Sequence, residues 1–123
     1  MTRSGTLTEA DEQAIFCRWL RARGILHFSV PNEGKRSVRL AARMRAMGLT
    51  PGVADLIIVR NPTLAVEMKA AHRSKERNGG LSPAQVTWQL AARANGWVVI
   101  TAYGAKDAIK QTQQILALRP GTV

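Results

Sequence analysis

Two apolar runs with three residues between them constrain this chain more than anything else in it. Asp55-Leu56-Ile57-Ile58-Val59-Arg60 and Leu64-Ala65-Val66-Glu67-Met68-Lys69 flank Asn61-Pro62-Thr63. Aliphatic runs of this length bounded by turn chemistry predict strands, and so short a connection predicts an antiparallel hairpin. Asp55 opens the first run, while Glu67 and Lys69 close the second. Charged side chains are rarely buried in strands unless they are paired or hold a metal, so these three residues need a partner or a task. Side chains two apart on a strand share a face, which puts Glu67 beside Lys69. An antiparallel register lays the start of one strand beside the end of the other, so Asp55 can join them at one end of the sheet.

The rest of the chain supplies the layers around that hairpin. Thr8 followed by Glu9, Asp11 and Glu12 is a helix start with acids in its first turn, and Ile15, Phe16, Trp19 and Leu20 recur at helical spacing until Gly24. A short strand is expected over Ile25 to Val30, then a loop at Pro31-Asn32-Glu33-Gly34. A second helix is expected over Ser37 to Met47, its apolar side formed by Val38, Leu40, Ala41, Met44 and Met47. Residues 71–80 hold two glycines and little that is apolar, which predicts a mobile loop. Ser82-Pro83 starts a third helix running to about Asn95, with Val86, Leu90 and Ala94 on one side. Trp97 to Ala102 reads as a strand and Ala105 to Leu118 as a final helix. Strand, helix, strand is the pattern of a crossover connection, so part of the sheet should be parallel. The expectation is an α/β fold, one domain over residues 1–123.

Eighteen Lys and Arg against eight Asp and Glu give a net charge of +10, which points to a polyanionic partner. Lys35, Arg36, Arg39, Arg43 and Arg45 crowd one segment, and Arg73, Lys75 and Arg77 another, on either side of the carboxylates. Cys17 stands alone, so a disulfide framework and a cysteine zinc site are both excluded, and a reducing cytoplasm suits the chain. No run approaches the ~20 apolar residues of a membrane span, and no apolar segment follows a basic start.

Two carboxylates and an ammonium group are what a metal-dependent phosphodiesterase needs. Oxygen ligands suit Mg²⁺, which keeps several waters, acidifies water and screens phosphate charge, while a lysine orients the attacking water or stabilises the developing charge. The plainer reading of the same residues is a turn-capping Asp55 beside an exposed Glu67–Lys69 ion pair worth under about 1 kcal/mol. Spacing alone leaves both open.

The order Gly52-Val53-Ala54-Asp55-Leu56, Val66-Glu67-Met68-Lys69 and Leu81-Ser82-Pro83-Ala84-Gln85 resembles the PD-(D/E)XK nuclease superfamily. With Glu12-Gln13, Pro31-Asn32-Glu33-Gly34-Lys35-Arg36 and Trp88 it resembles the VRR-NUC branch, across roughly Glu9 to Ile109. That resemblance implies a restriction-endonuclease-like central mixed β-sheet flanked by helices. It implies a Mg²⁺-dependent DNA endonuclease, with Mn²⁺ able to substitute, acting as a homodimer on branched DNA such as four-way (Holliday) junctions in a bacterial or phage-infected cell. Carried over by position, Asp55, Glu67 and the Met68 backbone carbonyl become metal ligands, Lys69 the catalytic lysine, Gln85 its helical neighbour and Glu12 the first-helix acid. Ala54 departs from the pattern, which usually has proline there.

On a helical wheel Glu12 falls within the arc of Ile15, Phe16 and Trp19, whereas Glu9 lies at its edge. An acid on the buried side needs a partner, so Glu12 is expected at the metal and Glu9 is the alternative. Lys35, Arg36, Arg39, Arg43, Arg73 and Lys75 are the candidate phosphate contacts. Trp19, Trp88 and Trp97 are expected to pack, and Cys17 to be a small core residue. Two rival functions stand beside cleavage: a DNA-binding protein that does not cut, and a nuclease component of a phage replication or packaging complex.

Overall fold

The computed structural model describes residues 7–31 and 37–117. Lys35 and Arg36, two of the candidate phosphate contacts, lie outside the described residues, as does most of the loop that holds them.

The first helix, α1 (Glu9–Ala22), begins where the sequence signals it. Thr8 Oγ1 accepts from Asp11 N at 3.0 Å and Asp11 Oδ2 accepts from Thr8 N at 3.1 Å, a capping box that satisfies two of the helix's orphan donors. Next come β1 (His27–Ser29), α2 (Val38–Ala46), β2 (Leu56–Ile58) and β3 (Leu64–Lys69). The chain continues through α3 (Pro83–Ala94), β4 (Val98–Tyr103) and α4 (Ala105–Leu116). β1 and β2 are shorter than the apolar runs around them, although Val59 N donates to Leu26 O and Val30 N to Asp55 O, prolonging the pairing by a residue at each end.

One mixed sheet in the order β1-β2-β3-β4 joins these strands, antiparallel in its first two pairings and parallel between β3 and β4. α3 is the crossover that parallel pairing requires. Strand alternation sorts β3 between two layers. Leu64, Val66 and Met68 pack with Phe16, Cys17 and Leu20 of α1 and with Ala105 and Ala108 of α4, while Ala65 faces Trp88 and Ala92 of α3 on the other side. Glu67 and Lys69 therefore look towards α3.

Two expectations about helix faces and one about a loop are corrected. α2 buries none of its residues, and Val38 is 88% and Met47 72% exposed, so its apolar positions do not serve the core. In α3 the buried residue is Gln89, not a member of the Val86-Leu90-Ala94 side, and Leu90 is 62% exposed. Gln89 is tolerated there because its Nε2 donates to Thr101 Oγ1 at 3.1 Å on β4. Residues 71–80 fold as two 3₁₀ turns, Ala71–Lys75 and Arg77–Gly80, tied down when Tyr103 Oη donates to Gly79 O at 2.7 Å. Cys17 is buried as expected. Trp88 and Trp97 meet edge to face, with centroids 6.1 Å apart, and half-buried Trp19 stacks on Phe16.

Candidate active site

Hairpin register brings the acids together. Leu56 pairs with Val66, so Asp55, one residue earlier, stands opposite Glu67, one residue later. β2 has ended by then, and the N–H of Met68 would lack a strand partner on that side. Asp55 supplies one: its Oδ2 accepts from Met68 N at 2.7 Å. In an extended strand the N–H and C=O of one residue leave on the same side, so the Met68 carbonyl also points towards the Asp55 edge.

α3 closes the site from above. Its N-terminus is a second capping box, with Ser82 Oγ accepting from Gln85 N at 3.1 Å and Gln85 Oε1 accepting from Ser82 N at 2.9 Å. That Oε1 also accepts from Lys69 Nζ at 3.0 Å, and Gln85 Nε2 donates to Glu67 Oε2 at 3.1 Å. With both donors on one amide atom and a carboxylate on the other, the amide has one orientation that satisfies every partner. Lys69 Nζ lies 3.8 Å from Glu67 Oε2. Pro51-Gly52 can approach this helix end because Gly52 has no side chain: its φ is +82°, and a Cβ there would overlap the Ala84 carbonyl.

The electrostatics are those of a site short of positive charge. Glu67 and Lys69 are only 4% and 5% exposed. Burial, and after it the charge of neighbouring Asp55, pushes the Glu67 carboxyl up to about 8 despite the opposing pull of Lys69. Burial also raises Asp55, opposed by the Met68 N–H and by a hydrogen bond from the Glu67 carboxyl. Both shifts favour the neutral acids, and a cation beside them would relieve the same burial and repulsion. Among the described residues no three His, Cys, Asp or Glu side chains converge as a metal-binding group. Two carboxylates with a carbonyl suit Mg²⁺, which takes oxygen ligands and retains waters, better than zinc, which prefers nitrogen and sulfur.

The α1 acids are placed differently from expectation. Glu12 is turned to the other layer, where its Oε1 accepts from Ala105 N at 2.8 Å at the start of α4. Gly104 has no side chain with which to cap that helix, so Glu12 serves in its place, and its partner on the buried side is a helix terminus. Glu9 instead lines the cleft, together with Asp55, Glu67, Lys69, Gln85 and Arg45. The cleft holds about 450 Å³. A larger groove between α1 and β1, of about 960 Å³, lies away from the paired carboxylates.

Of the candidate phosphate contacts, Arg39 and Arg43 are exposed on α2, one helical turn apart, and Lys75 is exposed on the first 3₁₀ turn. Arg73 is differently occupied, with Nε donating to Glu76 Oε1 at 3.0 Å, Nη2 to Gly80 O at 3.0 Å and Nη1 reaching Glu9 Oε2 at 3.4 Å. Sequence reasoning left Arg45 of the cleft wall among the general basic residues. Ser82 caps α3 as its place before Pro83 predicts, and the Ser-x-x-Gln spacing is that of a capping box.

No family model matches the chain, and no curated protein matches it. A solved structure named as a VRR_NUC domain protein is similar to it, with a TM-score of 0.72 and 23% identity over 93% of this chain and 92% of that one. That likeness shows the fold: a mixed four-stranded sheet flanked by helices, as the sequence resemblance implied.

Proposed function

We propose that this chain is a single-domain nuclease of the VRR-NUC type that hydrolyses DNA phosphodiester bonds with Mg²⁺, Mn²⁺ being able to substitute. The observation that carries this reading is the cluster at one end of the sheet, in which Asp55 accepts from Met68 N and Gln85 joins buried Glu67 to buried Lys69, in a fold shared with a VRR_NUC domain protein. Asp55, Glu67 and the Met68 carbonyl would hold the cation, and Glu9 on the α1 wall of the cleft would add negative charge beside it. A bound divalent cation supplies counter-charge for the phosphate and lowers the pKa of water. Lys69 is the fixed positive charge that orients the attacking water and stabilises the negative charge growing on the phosphate. Gln85 keeps Lys69 and Glu67 in register, so neither has to reorganise during reaction.

The net charge of +10 suits a polyanionic substrate, and exposed Arg39 and Arg43 are its best-placed phosphate contacts. Branched DNA is the proposed substrate and a homodimer the proposed active form, both on family resemblance. A two-fold dimer would offer paired sites to the two strands of a four-way junction. No helix among the described residues is long and apolar enough to cross a membrane, and lone Cys17 fits a cytoplasmic site of action. Incubation of purified protein with four-way junction, flap and linear duplex DNA, with Mg²⁺ or with EDTA, tests the proposal. Metal-dependent nicking with preference for branched DNA is expected; no metal-dependent product on any substrate would sink it.

A further inference from the structure

We propose that Arg73 is a positioning residue of the cleft: it holds Glu9 on the α1 wall beside the cation site and pins the chain segment between Lys69 and Gln85. The inference rests on reading the cleft as a metal-dependent nuclease site. It departs from the expectation that Arg73 grips DNA.

Three guanidinium nitrogens of Arg73 are committed to three parts of the fold. Nη1 reaches Glu9 Oε2 on α1, Nε donates to Glu76 Oε1 at the junction of the two 3₁₀ turns, and Nη2 donates to the carbonyl of Gly80. Gly80 is buried and lies two residues before the Ser82 cap of α3. It also passes close beneath the arginine, since a Cβ on Gly80 would come 3.1 Å from Arg73 Nε and 3.2 Å from its Cβ. One side chain thus joins the α1 wall of the cleft to the segment that delivers Gln85 to Lys69.

Glu9 is the beneficiary. It lines the same cleft as Asp55 and Glu67. An acid in the first turn of a helix has ample freedom to turn to solvent, and an arginine fork holds it against that freedom. Arginine suits the task because its donors diverge in a fixed plane, whereas a lysine ammonium is a single point. An arginine that grips phosphate points its fork outward; this one spends its donors on protein acceptors.

The test separates positioning from DNA contact and from plain charge. Mn²⁺ binding is measured by calorimetry without DNA, cleavage is split into kcat and KM, and DNA binding in EDTA is followed against salt. Arg73→Ala is expected to weaken Mn²⁺ binding and lower kcat about 10-fold, the usual cost of losing an outer partner of a metal site, with KM and salt slope unchanged. Arg73→Lys should not restore them. Glu9→Gln should reproduce the loss, and the double variant should add little to it. Glu76→Gln, which frees one prong only, gives a smaller loss and keeps the test alive if Arg73→Ala does not fold. Tighter Mn²⁺ binding in Arg73→Ala would mean that only its positive charge mattered and would overturn the inference. So would intact Mn²⁺ binding with weaker DNA binding and a salt slope lowered by about 1, the mark of a lost phosphate contact. Wild-type protein that binds no Mn²⁺ would remove the functional reading and this inference together.

Discussion

Replacing Glu67 by glutamine should make the metal-free protein more stable at neutral pH and above, and the structure gives the size. In the folded protein the Glu67 carboxyl is pushed from 4.5 to about 8, so between those values the native state holds a proton that the unfolded chain has released. Stability falls with pH wherever the native state binds more protons. This contribution is therefore fully present below about pH 4.5, is lost as pH rises and is gone above about pH 8. At 1.36 kcal/mol per pH unit the ceiling is roughly 5 kcal/mol, and the slope across the window at most about 1.4 kcal/mol per unit. Glutamine keeps the shape and cannot ionise. Urea unfolding in EDTA at about pH 5, 6, 7 and 8 should show the wild type losing stability relative to Glu67→Gln along that slope. Saturating Mg²⁺ should recover the loss in the wild type, because a cation bound only by the native state stabilises it, and should do less for the variant. Parallel curves for the two proteins in EDTA would refute the reasoning, since Glu67 would then carry no buried conflict for a cation to relieve.

Other perturbations separate the roles of residues that look alike in sequence. Glu12→Gln should cost roughly 0.5–2 kcal/mol in thermal or urea unfolding through the lost terminal contact on α4, yet cleave DNA at near wild-type rate once folded. Glu9→Gln should do the reverse, keeping stability and losing cation affinity. Arg39→Ala with Arg43→Ala should weaken DNA binding without touching cation binding, and the slope of log K against log salt should fall by about 2 in magnitude; an unchanged slope would remove α2 from the DNA surface.

The centre of the site was legible because its geometry follows from short-range rules. Strand alternation fixes Glu67 and Lys69 on one face, and a three-residue connection fixes the register that brings Asp55 opposite. Gln85 was implied by the family resemblance, since a helix start alone suggests only a polar first-turn residue. What escaped depended on partners far off in sequence. A helical wheel shows that Glu12 faces inward but not that Gly104 gives α4 no side-chain cap, so the Ala105 N–H that Glu12 meets could not be read from the wheel. Gln89 carries no such signal because its burial needs Thr101, which β4 supplies. The apolar positions of α2 have helical period yet no layer to meet, so period alone could not say what they face. Arg73 counted as one more cation near the site, since composition does not reveal that its donors are spent on Glu9, Glu76 and Gly80.

The most direct test of the central claim is single-turnover cleavage of a four-way junction by the wild type and by Lys69→Ala, with binding to the same DNA measured in parallel. Loss of the fixed charge held by Gln85 and Glu67 predicts a fall of about 10²–10³ in the cleavage rate, the usual cost of removing one preorganised group that stabilises transition-state charge, with DNA affinity nearly intact. Cleavage by Lys69→Ala at the wild-type rate would contradict the account.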